Sequence, residues 1–375
     1  MEALHSENPR IGELIAFLGR MKTGPAEREE YDRYAEVLHS ATALEVNAAL
    51  DSVLAVAGDI AEWKIPVARF IRAVSQGVEK HSLPVYPEKH LLGELESEND
   101  QIEQAISELQ QRAKAVQKGE DGLSAIIGGL SRLDILSAHY IRLQNELFPL
   151  FERASPQHAC VKLMWALEDD VLSHLKKLTH WQKKEIDSEF WSALGSFFLL
   201  AGSLLWRERH ILFPAANHAI PEAFLQTDRR TADQQPGGPQ AGQGLFSTTT
   251  GTLSSEQLDL IFRLLPVDIS FIAADDRVAF YSDPPHRIFP RRPAVIGRKV
   301  QNCHPPKSVA MVEEILSSFK DGSRDSAEFW LTVAGKFVHI EYRAVRDERG
   351  TYLGTLEISQ DATHLRSLEG QKRLL

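Results

Sequence analysis

Apolar residues recur at helical spacing along the first two thirds of the chain and switch towards a strand-like pattern near its end. Arg10–Met21 carries Ile11, Leu14, Ile15 and Leu18 on one face, and Gly24-Pro25 breaks that pattern. A long Ala- and Leu-rich run follows over Tyr31–Leu54. Trp63-Lys64-Ile65-Pro66 then opens a helix that buries Val67, Phe70, Ile71 and Val74, with Pro well placed in the first turn. No catalytic spacing appears here, so residues 1–80 read as a helical packing or dimerisation module. After the Pro-containing connection His81–Pro87, four more helices are predicted, over about Glu88–Gln117, Leu123–Phe148, Gln157–Trp181 and Ser188–Phe213.

Two of these helices end alike. His139–Phe151 reads HYIRLQNELFPLF, and Leu204–Ala216 reads LLWRERHILFPAA. Pro149 is expected to end or kink its helix, because it has no N–H to continue the ladder. The repeated ending suggests a duplicated helical hairpin, hence a four-helix bundle over residues 84–226. Bundles of this kind build metal sites from inward His and carboxylates, which makes His139 a residue of interest.

Residues 227–252 change composition: Gly, Gln, Pro and Thr dominate, as in a flexible linker. Beyond it the period shortens. Leu253–Leu265 reads as an amphipathic helix, and Asp268–Ala273 and Val278–Tyr281 as strands joined at Asp275-Asp276. After a Pro- and Arg-rich stretch comes a helix over Ser308–Phe319. Three more strands follow at Ala327–Val333, Phe337–Val345 and Tyr352–Gln360, and Ala362–Leu375 places Leu365 and Leu368 on a helical stripe. This order predicts an α+β domain over residues 253–375.

The formal net charge of −10 argues against nonspecific nucleic-acid binding, which needs a basic surface. Two cysteines, Cys160 and Cys303, fall in different predicted domains and fit a reducing compartment rather than a disulfide scaffold. The N-terminus lacks a basic-then-apolar signal pattern. Phe190–Trp206 carries no charge, but it is short for a span of ~20 residues and reads as a central bundle helix. Together these features predict a cytoplasmic protein with no membrane or nucleic-acid partner.

In the last domain, LLPVDISFI, RIFPRRPAVIGRKVQNCHPPKS and FVHIEYRAVRDERGTYLGTLEISQDATHLRSLEG resemble a family that joins three parts. These are an N-terminal helical domain of unknown function, a hemerythrin-like four-helix domain and a PAS sensor domain. In the bundle the resemblance rests on HY..LQNELFP, KLMWALEDD and HILFPAA, and in the first 80 residues on EWKIPVARF. The fold it implies is multidomain: an all-α region and a hemerythrin-like bundle, then an α+β PAS domain.

That resemblance implies a metal site drawn from all four bundle helices, but the chain departs from the pattern. In place of a helix-one His-Pro-Val-His, PEKHLLG keeps His90 and puts Gly93 where the second His would stand. His139 is kept, Gln144 replaces an acid, Glu168 replaces a His, and Glu208 is kept beside Arg209. A normal di-iron centre is not expected, since lost carboxylates leave the ions unbalanced and a nearby Arg would repel them. The remaining set, His90, His139, Glu168 and Glu208, could hold a single divalent ion such as iron. His174 and His210 could join only if helix phase turned them inward.

A PAS domain implies a pocket for a small ligand, haem or flavin. Cys303 and His304 in NCHPP could ligate haem, and Cys303 at a helix entry could act as a redox sensor; the same run also serves simply to start a helix. Arg298, with Arg287, Arg291, Arg292 and Lys299, could meet an anionic ligand or partner, or be solvated surface. No nucleophile–base set and no phosphate loop is visible, so an enzyme is not expected. The sequence therefore predicts a sensor or signalling protein with the bundle as scaffold. It would act through a homodimer or a separate signalling partner. The alternatives are a metal- or oxygen-binding bundle and a haem- or flavin-binding PAS sensor.

Overall fold

The structure is a computed structural model that describes residues 8–87, 89–181, 186–227 and 245–373. Asn8 caps α1 (Pro9–Arg20) by accepting from the Arg10 N–H. The Ala- and Leu-rich run over Tyr31–Leu54 falls in two helices, α2 (Arg28–Leu38) and α3 (Ala43–Leu54). Thr42 and Glu45 form a reciprocal capping box that starts α3, a local signal stronger than the continuing apolar spacing. The next helix is α4 (Lys64–Val78).

The bundle region supplies α5 (Leu91–Gln117), α6 (Leu123–Leu130), α7 (Ile135–Arg142), α8 (Phe148–Ala154), α9 (Cys160–Thr179), α10 (Ser188–Arg207) and α11 (Phe213–Ala219). A short α12 (Glu222–Leu225) follows. Pro149 and Pro214 do not end their helices. Each lies just after a π turn, Leu143–Leu147 and Glu208–Leu212, in which the Phe148 and Phe213 N–H groups reach back to Leu143 and Glu208. The wider π turn absorbs the carbonyl clash that a proline brings to a regular helix. The echo seen in the sequence is thus a duplicated π turn.

Residues read as two separate helical modules share one core, which runs from Leu14 to Leu225. Polar contacts cross the same seam. The Asn47 side chain donates to the Gln157 carbonyl at 3.1 Å, the Ala159 N–H donates to Asp51 at 2.8 Å, and Lys64 meets Asp170 at 2.6 Å. The chain divides instead after this helical unit, as Met1–Asp233 and Gln234–Leu375.

The uncharged stretch of α10 belongs to Ser188–Ala219, which is long and apolar enough to cross a membrane by length and composition. It buries Phe190, Ala193, Leu194, Phe197, Ala201 and Leu204 against its neighbours, and the same run buries Arg207 and Glu208. That is the pattern of a core helix with a polar site at its end.

Residues 228–244 of the expected linker lie outside the described residues. Its remainder includes an antiparallel hairpin, β1 (Leu245–Thr248) and β2 (Gly251–Ser254), where Thr and Ser hydroxyls bond across the strands. Ser254 and Gln257 form the capping box of α13 (Ser255–Leu264). β3 (Asp268–Ala273) and β4 (Val278–Tyr281) follow, then α14 (Pro306–Lys320), β5 (Ser326–Val333), β6 (Lys336–Arg346) and β7 (Tyr352–Asp361). They form an antiparallel five-stranded sheet in the order β4-β3-β7-β6-β5. Among the described residues of the expected C-terminal helix, only α15 (Thr363–Arg366) forms, with Leu365 and Leu368 exposed; the remaining two, 374–375, lie outside the described residues.

Candidate functional site

The bundle interior holds a chain of charged side chains built around His139, which is 1% exposed. Its Nδ1 lies 2.7 Å from Glu98 Oε2 and its Nε2 lies 2.9 Å from Glu208 Oε2. A carboxylate only accepts, so both ring nitrogens donate and the imidazole is cationic. Burial pushes His139 towards its neutral form, but Glu208 and Glu98 outweigh it and hold its pKa at about 9. Glu98 is clamped from the other side by Arg142, which also reaches Glu94 at 2.7 Å and Glu146 at 3.2 Å. Burial lifts Glu98, but His139 and Arg142 bring it below the usual carboxylate range.

A second polar pair lies beside the first. Gln144, in the first π turn, donates from Nε2 to Glu168 Oε2 at 2.7 Å. Glu168 is wholly buried, and that burial raises its carboxyl to about 8; Gln144 opposes the rise and Glu208 adds to it. It is therefore mostly protonated near neutral pH. Glu168 Oε1, Glu208 Oε1, the Tyr140 hydroxyl and both side-chain amide atoms of Asn99 are buried without a partner. Arg207, beside Glu208, is pulled down to about 10 by burial.

The four expected metal ligands do not converge. His90 is the N-cap of α5: its Nδ1 accepts from the Leu92 N–H at 3.2 Å and its ring stacks on Tyr86. The two carboxylates on His139 occupy opposite ring nitrogens, so they point at the ring and not at a shared ion. Among the described residues no three His, Cys, Asp or Glu side chains are arranged to hold a metal. His174 and His210 remain apart, His210 lying edge-on to Trp206. Arg209, expected to repel a metal, faces outward instead and pairs with Glu96, Asp100 and Glu103 of α5. Sequence reasoning missed Glu98, whose spacing on α5 marks only a half-exposed helix face, and Asn99, which looked like an ordinary polar residue.

Gly93 is also fixed by packing. A Cβ there would lie 2.3 Å from the Pro87 carbonyl oxygen. Gly93→His, which would restore the resembled motif, is expected to destabilise the helical unit by roughly 2 kcal/mol or more, with Gly93→Ala nearly as harmful. Chemical denaturation of the two variants checks this; a neutral Gly93→His would contradict it.

The second unit presents a buried polar row on the sheet. Ser270 of β3 is in register with Glu357 of β7, and Glu357 with Tyr342 of β6. Arg291 enters from the Pro- and Arg-rich loop and meets Glu357 at 3.6 Å. Arg287 braces the same loop by donating to the Ser282 and Phe289 carbonyls and to the Ser270 hydroxyl, and Asp268 accepts from the Ile288 N–H at 2.6 Å. His304, lowered by burial and further by Arg291, though Glu357 opposes this, is neutral at pH 7. It lines a cavity with Ile272, Val300, Leu316, Tyr342 and Thr355.

That cavity measures about 20 Å³, room for about one water molecule. Drug-sized ligands occupy pockets of ~300–1,000 Å³, so this cavity as it stands does not admit haem or flavin. Of the three residues expected to hold a cofactor, only His304 lines it. Cys303 closes the short helix before α14 and contacts Arg291, while the buried Arg298 is strapped to β4 through the Val278 N–H.

Residues 258–363 match the family model of a PAS domain. A crystal structure of a C-terminal domain from Streptococcus mutans is 36% identical; the match covers 34% of this chain and 98% of that one, with a TM-score of 0.32. None of the curated proteins matches the chain.

Proposed function

We propose, taking residues 258–363 as a PAS domain, that the protein is a sensory or signalling protein. In this reading the PAS domain receives a small chemical input and the helical unit serves as its scaffold. The observation that carries the reading is the buried row Ser270–Glu357–Tyr342 with Arg291 against it. A sheet needs no charge in its interior for stability, and an Arg–Glu pair held there is weak evidence for stabilisation. It is a means of responding to a polar input. The output passes to a second copy or to a separate partner, in a cytoplasmic setting.

Hydrogen exchange of the full chain, with and without the low-molecular-weight fraction of a cell extract, tests this. Peptides covering β3, β7 and α14 are expected to gain protection, and Glu357→Ala to abolish the gain. Unchanged exchange throughout would leave the domain without a small input.

The orphaned oxygens of Glu168 and Glu208 favour a second reading, in which the bundle holds a divalent ion. The described side chains do not fit that group as they stand, because His139 spends both nitrogens on carboxylates. Ordered water satisfies such atoms equally well. Metal analysis of untagged protein is expected to find far less than one equivalent per chain. A stoichiometric metal that disappears in Glu208→Gln would reverse that expectation.

A further inference from the structure

Two strands form the edges of the five-stranded sheet, and their free sides differ. β4 has four residues and is strapped: the Val278 N–H donates to the Arg298 carbonyl at 3.0 Å, and the Gly297 N–H donates to the Val278 carbonyl at 2.8 Å. β5 has eight residues, SAEFWLTV, and within this unit no described strand or loop covers its outer side. An uncovered edge is a template for another strand, and proteins guard it with Lys, Pro, bulges or short length. β5 has none of these. It pairs with β6 over Ser326–Val333 without a register shift, whereas the β3–β4 and β6–β7 pairings each carry one.

The pairing fixes which backbone groups are free. The Ala344 N–H donates to the Asp325 carbonyl at 2.9 Å, and Val333 and Lys336 face each other across the Ala334-Gly335 turn. Such bonds alternate along an antiparallel pair, so Ala327, Phe329, Leu331 and Val333 spend their N–H and C=O groups on β6. Ser326, Glu328, Trp330 and Thr332 turn theirs outward. Side chains alternate as well. Ala327, Phe329, Leu331 and Val333 share the sheet face of Tyr342, with the Phe329 and Tyr342 rings 5.8 Å apart. Trp330 lies on the opposite face. Phe329, Trp330 and Leu331 are 38%, 61% and 40% exposed, so the free edge is also apolar.

We propose that β5 is a homodimer interface, pairing antiparallel with β5 of a second copy so that two sheets join into one. The strand's own pattern selects that occupant. A two-fold axis normal to the sheet keeps each face with itself, so Ala327, Phe329, Leu331 and Val333 meet only one another in any register that matches faces. With Trp330 opposite its own symmetry mate, Phe329 faces Leu331, Ala327 faces Val333, and Glu328 faces Thr332 rather than another acid. Glu328 is the one charged residue of the strand and is hydrogen-bonded to His339 at 2.8 Å, so the edge offers little charge for a foreign peptide to match. A single strand pair is a small contact, under about 1,200 Å² in total, so the dimer is reversible in the micromolar range. The interface gives the signalling reading its second copy, but it rests on the strand alone and is measured without any signal.

Sedimentation velocity of the full chain through the micromolar range is expected to show a monomer–dimer equilibrium. Trp330→Lys, at an exposed position, sets like charges opposite each other and is expected to weaken the dimer at least about tenfold. Thr332→Pro removes an outward N–H and no bond to β6, and is expected to act in the same direction. Hydrogen exchange of the unmodified chain at single-residue resolution needs no variant. The Glu328, Trp330 and Thr332 amides are expected to gain protection as protein concentration rises, while Phe329 and Leu331 stay protected throughout. A chain that remains monomeric, or a dimer that either variant leaves unchanged, overturns the proposal. So do edge amides whose exchange does not vary with concentration, whether another segment of the same chain covers them or they stand free for a foreign peptide. The exchange experiment on β3, β7 and α14 judges the sensory reading separately.

Discussion

Glu208→Ala is expected to destabilise the helical unit by about 3–5 kcal/mol, lowering its melting temperature by roughly 10 °C or more. Two effects add. The substitution removes a carboxylate that lies 2.9 Å from a cationic imidazole and has no solvent exposure, leaving His139 buried with one of its two counter-ions. It also leaves a void beside His139 in the bundle interior. The exposed pair Arg28–Asp32 provides the contrast: at 4.0 Å and with both side chains largely in water, Asp32→Ala is expected to change stability by at most about 0.5 kcal/mol. Denaturation followed by tryptophan fluorescence reports mainly on this unit, since all tryptophans but Trp330 lie in it. Equal, small effects for the two substitutions would mean that Glu208 is not part of a buried charge network.

Raising the pH from about 5 to 9 is expected to destabilise the helical unit, the reverse of ordinary acid unfolding. His139 titrates at about 9 in the fold against an ordinary 6.5. A proton held more tightly in the fold stabilises fully below the unfolded value and is lost as pH rises through the folded one, here between 6.5 and about 9. The contribution is on the order of 3 kcal/mol. Glu168 acts in the same direction at lower pH: its carboxyl ionises at 4.5 when unfolded but only at about 8 when buried. Glu98 has the opposite sign, because its depressed titration makes the fold lose stability as pH falls below the ordinary carboxylate range. Stability should therefore peak near pH 5. Glu168→Gln should flatten the lower part of the decline and His139→Gln the upper part. A melting temperature that is level or rising from pH 5 to 9 would contradict this account.

The sequence made the strands easier to read than the site. β3 and β4 fall on their expected residues because alternating apolar positions and the Asp275-Asp276 turn specify register locally. The break between α2 and α3 was hidden by Ala-rich spacing, although the Thr42–Glu45 capping box was there to be found. The repeated LFP endings were visible, yet proline chemistry alone suggested breaks. The π turns that accommodate Pro149 and Pro214 are set by packing of the surrounding helices. At the site, the resemblance pointed to His90, His139, Glu168 and Glu208, all four of them buried, but the His90 ring serves a helix cap. Partner choice was the illegible part. Nothing in the spacing of α5 says that Glu98 reaches His139 while Arg209 turns outward to Glu96, Asp100 and Glu103.

The central claim is that His139 is a buried imidazolium tying two carboxylates together in the bundle interior. Nitrogen-15 NMR of histidine-labelled protein reads the state of that ring directly, with His139→Gln assigning its signals. The account predicts two protonated ring nitrogens at pH 7 that persist until about pH 9. A ring with one unprotonated nitrogen at pH 7, or one whose signal moves when a metal chelator is added, would contradict it.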